Sequence, residues 1–95
     1  MAVFIAMMPV WLNIDEKSVV PALQQAVEKL GSTEGEAVLD FSAVWRIDSS
    51  ALRAMEKFAG VADDKGVKVV LCGVRVGVYK ALKLAKLASR FSFGN

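Results

Sequence analysis

Val38-Leu39-Asp40-Phe41-Ser42-Ala43-Val44-Trp45-Arg46-Ile47-Asp48-Ser49-Ser50-Ala51-Leu52 is the stretch whose reading decides the fold. Val38, Leu39 and Phe41 dominate a short strand, Ala37 to Phe41, that carries Asp40 within it. Ser42 to Asp48 turns the chain back, and Asp48-Ser49-Ser50 opens a helix. A serine at a helix start has an ordinary role, because its hydroxyl caps backbone N–H groups that lack a partner. Two serines in a row after an aspartate exceed what capping requires.

Outward from this stretch, the pattern alternates. Downstream, Leu52, Met55, Ala59 and Ala62, with Phe58 alongside, form the apolar stripe of a helix that Asp63-Asp64-Lys65-Gly66 closes. Val67 to Cys72 is almost continuously apolar and β-branched, as suits a central strand of a parallel sheet. Gly73 to Gly77 is a loop, and a third helix is predicted over Val78 to Leu87. Val78, Leu82 and Ala85 mark its apolar side, and Lys80, Lys83, Lys86 and Arg90 its basic one. Phe91 to Phe93 forms a last short strand or a packed tail.

Upstream, Ser18 is placed to cap a helix with Pro21 in its first turn. Val20, Leu23, Val27 and Leu30 supply the stripe, and Gly31 the stop. Asn13 to Lys17 reads as a polar connection, and the apolar run Met1 to Leu12 as a buried strand, or two short ones around Met8-Pro9. That run lacks the basic start and cleavage site of a signal peptide. It is also shorter than the roughly 20 residues that span a bilayer as a helix. Ala2 and the last four residues, Ser92-Phe93-Gly94-Asn95, carry no lipidation motif. Alternating strands and helices predict a mostly parallel or mixed sheet with helical crossovers. With 95 residues, the whole chain, 1–95, is expected to be one domain.

Composition narrows the chemistry. Apolar residues make up 55 %, enough for a core without disulfides or metal. A net charge of only +2 argues against a nucleic-acid partner. The single cysteine, Cys72, excludes an internal disulfide, fits a reducing compartment, and reads as a small buried hydrophobe. Histidine is absent, which removes the commonest general base and zinc ligand. None of the candidate nucleophiles therefore has the usual activator. The carboxylate pairs Asp15-Glu16 and Asp63-Asp64 read as solvated connections. Gly73-Val74-Arg75-Val76-Gly77 matches neither standard phosphate-binding glycine pattern, so nucleotide binding there is a weak alternative. No enzyme activity, cofactor or metal is expected.

A serine at the Asp48-Ser49-Ser50 turn has the physics of a switch. A phosphoryl group adds nearly two negative charges at the positive end of a helix, which the fold tolerates but a neighbouring binding surface does not.

At this motif the chain resembles the STAS domain, whose pattern is close to D-L-S-x-V-x-x-I-D-S-S-G-L. The resemblance runs from about Ile14 to Phe93, supported by Lys65 to Val74 and by Val78 to Phe93. It implies an α/β fold, a small mixed, mostly parallel sheet with helices mainly on one face. In members of the antagonist type the partner is an anti-sigma factor that is also a serine kinase. The resemblance implies Ser49 as phosphate acceptor, with Ser50 as runner-up. It implies a partner-binding surface of Asp48, Ser49, Ser50, Ala51 and Arg53, and a bacterial, cytoplasmic setting in transcription control. Two departures stand out: Ala51 replaces the usual glycine, and Leu12-Asn13-Ile14-Asp15 stands where antagonists have Gly-Glu-Leu-Asp. An alternative within the same family is an accessory subunit that binds the ATPase of a lipid-transport ABC system.

Overall fold

Three parallel crossovers, each moving to the next strand in the same direction, organise the chain. In the computed structural model, which describes residues 10–30 and 35–94, β1 (Val10–Asn13) leads through a 3-10 turn (Glu16–Ser18) into α1 (Val19–Leu30). Then come β2 (Glu36–Asp40), α2 (Ser49–Asp64), β3 (Lys68–Cys72), α3 (Val76–Leu84), a second 3-10 turn (Ala88–Arg90) and β4 (Ser92–Gly94). The strand order is β1-β2-β3-β4, and every pairing among the described residues is parallel. Right-handed crossovers stepping always the same way put their helices on the same face of a sheet.

The core agrees with that. Ala37 and Leu39 of β2 and Val69 and Leu71 of β3 point to one face, where they join Leu23, Ala26 and Leu30 of α1, Met55, Phe58 and Ala59 of α2, and Val78 and Leu82 of α3 in one buried cluster. On the opposite face, Trp11, Val38, Val70 and Ser92 share a row across all four strands. Val38 is buried outside the main cluster, and Trp11 is exposed.

Several expectations need correction. α1 buries Val19, Leu23, Ala26 and Leu30, whereas the stripe read from sequence, Val20 and Val27 included, is rotated by one position. The side of α1 that meets the core carries the small Ala26, which a search for bulky apolar residues passes over. Ser18 lies inside the 3-10 turn, whose cap is Asp15, its carboxylate accepting from the Lys17 amide at 3.0 Å. Gly31 and Met1 to Pro9 lie outside the described residues. Cys72 is half-buried on the face opposite the described helices rather than fully buried.

The largest difference concerns α3. It begins two residues before the predicted start and ends at Leu84, so Ala85 is exposed and the basic residues do not share one helix face. Lys86 follows with φ of 61°, in the left-handed region. The Leu87 amide reaches back to the Leu82 carbonyl at 2.8 Å and closes the helix. Glycine is the usual signal for that conformation, so a lysine there hides the helix end. Arg90 sits in the second 3-10 turn and pairs with Asp63 of α2 at 3.2 Å.

Phe58 is fully buried between α2 and the sheet face. Its replacement by alanine is expected to cost about 3–5 kcal/mol through lost burial and a residual cavity. Urea unfolding monitored by circular dichroism checks this, and a loss below about 1 kcal/mol would place Phe58 outside the core.

Candidate partner-binding site

Parallel strands bring their carboxyl ends to one edge of the sheet, so the connections after β1, β2 and β3 meet there. The longest is the β2–α2 connection, residues 41–48. Phe41 and Val44 anchor it, both fully buried. The Phe41 amide extends the β3 ladder by donating to the Cys72 carbonyl at 2.8 Å. The Ser42 amide donates to Asp40 Oδ1 at 2.9 Å, forming a turn at the end of β2. That backbone bond, aided by the Ser42 hydroxyl, holds the Asp40 carboxyl below its ordinary value against a weaker opposing effect of burial.

Glu16 holds the middle of the connection. Its Oε1 accepts from the amides of both Trp45 and Arg46, the latter at 3.2 Å. Asp15 and Glu16 therefore fasten backbone, and the reading of that pair as merely solvated is overturned. The β3–α3 loop supports the connection from its other side. A Cβ on Gly73, which has φ of +66°, would lie 2.8 Å from Ser42 Cβ, and one on Gly77 would lie 3.3 Å from the Trp45 carbonyl oxygen. The two glycines of Gly73 to Gly77 thus serve close approach of loop to loop. From the same loop, Arg75 Nε donates to the Ser42 carbonyl at 3.0 Å, and its guanidinium lies 3.6 Å from the centre of the Trp45 ring. Trp45 is nonetheless 61 % exposed.

The start of α2 differs from the sequence reading in one decisive respect. Asp48, extended at φ −96° and ψ 179°, is the cap, and its carboxylate accepts from the Ala51 amide at 2.8 Å. Ser49 and Ser50 are the first two helical residues and both are exposed. Neither hydroxyl has a hydrogen-bond partner among the described residues. The serines are released from the capping role that a bare sequence assigns them.

Of the other expected site residues, Ala51 is buried with its methyl group against the core, so the glycine it replaces is not required by any turn. Arg53 is exposed, one turn beyond the serines and four residues from Ser49, which places both on one side of α2. A groove of about 410 Å³ opens beside Asp48, between the start of α1 and the segment 46–48, with Glu16, Lys17, Arg46 and Ile47 among its walls. Trp45, Arg75 and Glu16 are the members that sequence reasoning missed. Trp45 lay within the quoted motif, and an aromatic in a polar turn was the available signal. The partners of Arg75 and Glu16 lie about 30 residues away in sequence and left none. Among the described residues no group of acidic residues or cysteine is arranged to hold a metal ion. No described helix is long and apolar enough to cross a membrane.

The STAS domain family profile matches residues 14–95. This chain belongs to the STAS family. Solved structures with the same fold include a Thermotoga maritima protein assigned as an anti-sigma factor antagonist. Its crystal structure is 16 % identical, with a TM-score of 0.71, over 88 % of this chain and 73 % of that one. Its NMR structure aligns over 95 % and 74 % with the same TM-score of 0.71 and 16 % identity. A sulfate transporter family protein from Wolinella succinogenes is 20 % identical, with a TM-score of 0.71, over 98 % of this chain and 80 % of that one. At these identities the likeness is one of fold. No curated protein matches the sequence.

Two predictions come from this geometry. Asp48→Ala should destabilise the domain by about 1 kcal/mol, while Asp48→Asn should retain most of the cap. Urea midpoints of the two variants check this, and equal losses would refute a capping role. The Asp40 carboxyl is lowered in the folded state, so its contribution is present above the ordinary carboxylate range and is lost as pH falls through the lowered value. The stability gap between wild type and Asp40→Asn should therefore shrink on acidification from about pH 6 to about pH 3. A gap that does not narrow would show that the Ser42 contacts favour neither protonation state.

Proposed function

We propose that this STAS domain is a non-enzymatic regulatory module that binds another protein through the carboxyl end of its sheet, and that phosphorylation of Ser49 controls the contact. The observation that carries this reading is the division of labour at the start of α2. Asp48 caps the helix, so the Ser49 hydroxyl is exposed and unbonded at the positive end of a 16-residue helix.

The chemistry of the switch follows from that placement. A kinase partner supplies ATP and the base; Ser49 Oγ attacks the γ-phosphorus, its proton passes to that base, and ADP leaves. The added phosphate meets the free amides of the first helical turn and, on the same side of α2, Arg53. These offset its charge, so the domain stays folded. The surface around it changes sign, and a partner seated on Trp45 would then have to bury a dianion beside Asp48. Affinity falls while the fold persists. The fold shared with a protein assigned as an anti-sigma factor antagonist supports an anti-sigma factor with serine kinase activity as the partner, in a cytoplasmic, transcription-control setting.

Trp45 favours a second reading. An indole packed on Arg75, on a backbone held by Glu16, and left largely exposed is suited to a permanent contact. In that case the domain is an accessory subunit on an ABC transporter ATPase, with Ser49 and Ser50 inside a constitutive interface.

Binding of the purified domain to a candidate serine-kinase anti-sigma factor and to a candidate ABC ATPase subunit separates the two. The switch reading expects the kinase to bind, to modify Ser49 in the presence of ATP, and to bind Ser49→Asp at least about tenfold more weakly, or about 1.4 kcal/mol. A Ser49→Asp domain that is folded and binds the kinase as tightly as wild type would refute the switch. Binding to the ATPase subunit alone, lost in Trp45→Ala, would establish the second reading.

A further inference from the structure

The edge of the sheet formed by β4 and α3 carries a second exposed surface, built differently from the first. β4 ends the strand order, so its outer edge has no strand partner among the described residues. Over it, Tyr79 of α3 and Phe93 of β4 meet edge to face, with ring centroids 5.3 Å apart at 76°. Both stay open to solvent, at 39 % and 40 %. Val76, one turn before Tyr79, is 71 % exposed. Two cavities flank the aromatic pair. One, of about 320 Å³, is lined by Val74, Val76, Tyr79, Phe93 and Gly94 and is apolar. The other, of about 500 Å³, adds Lys83, Lys86 and Ser89 to the same two rings.

Charge here is one-sided. No carboxylate lines either cavity. Among the described residues, neither Lys83 nor Lys86 has an ion-pair partner; Arg90, nearby in sequence, is the base that does. Lys86 is also the one described non-glycine residue with positive φ. A left-handed lysine at a helix end is costlier than the glycine usual there. Backbone strain retained where a simpler residue would relieve it points to a use for the side chain.

We propose that this surface binds a short acidic segment of a partner protein in extended form, with a large apolar side chain against Val76, Tyr79 and Phe93 and carboxylates on Lys83 and Lys86. The open edge of β4 suits an extended chain, and the two unpaired lysines beside an aromatic floor suit carboxylates next to an apolar anchor. Along α3 from Val76 to Leu84 the surface runs about 12 Å at roughly 1.5 Å per residue, with Lys86 just beyond the helix end. An extended peptide covers that in about four or five residues. The lining of the site includes none of Asp48, Ser49, Ser50 or Arg53, although Val76 stands between Arg75 and Gly77, which both approach Trp45.

Selection of a displayed random 12-residue peptide library on the full chain tests this. Recovered peptides should carry two or more Asp or Glu residues about four or five positions from an aromatic or large aliphatic residue. Binding of such a peptide, followed by fluorescence anisotropy, should fall about tenfold or more in Lys83→Glu. In Lys86→Gly it should fall by about threefold, while relief of the left-handed lysine raises Tm by about 2–6 °C. Ser49→Asp should bind the peptide as wild type does. Recovery of peptides without acidic bias, or affinity unchanged in both lysine variants, would overturn the proposal. A lower Tm in Lys86→Gly would overturn the strain argument and the proposal with it. Phosphatidylglycerol vesicles that bind where no peptide does would assign the surface to lipid. A dimer in sedimentation that Lys83→Glu abolishes would assign it to a second copy of the chain.

Discussion

The hydrogen bond from the Ala51 amide to the Asp48 carboxylate fixes where α2 begins, and much else depends on that point. It makes Ser49 the first helical residue and leaves both serine hydroxyls without structural duty. It sets the phase of the helix, so that Ala51, Met55, Phe58, Ala59 and Ala62 turn inward while Ser49, Ser50 and Arg53 turn out. One residue of slip would rotate the helix by about 100° and exchange buried for exposed positions. The cap thus links core packing to the chemistry of the surface.

What the cap does for the helix, Glu16 and Arg75 do for the loop before it. The two come from different connections, and both fasten residues 42–46. They meet because the four described strands are parallel and the turns after them arrive at one end. A loop fastened in this way would reduce the ordering cost of the partner contact proposed at Trp45. The β4 edge uses a different means, an aromatic pair beside unpaired lysines, at the opposite side of the sheet from β1.

Local patterns were legible in the sequence and long-range fastenings were not. The β2 strand, a start of α2 around Ser49 or Ser50 and its closing over Asp63 to Gly66 follow from periodicity and turn chemistry, and the structure has them. The family motif around Asp48-Ser49-Ser50 lies at the carboxyl end of the sheet, where the connections after the strands meet. Three errors share a cause, since each needed a neighbour invisible to local pattern. Ala26 is buried because of what packs on it, Glu16 is tied by a loop far along the chain, and Lys86 takes a conformation that composition assigns to glycine. The serines were misread in a different way. Capping could have come from any of three adjacent polar residues, and only geometry assigns it to Asp48.

The central claim is that Asp48 carries the cap, so that a phosphate at Ser49 alters the surface and spares the fold. Genetically encoded phosphoserine at position 49, compared with the unmodified protein by amide NMR and thermal unfolding, tests it most directly. The account predicts a protected Ala51 amide in both forms, shifts confined to the segment 45–53, and a Tm changed by no more than about 2 °C. Loss of Ala51 protection, or of the folded spectrum, on phosphorylation would contradict it.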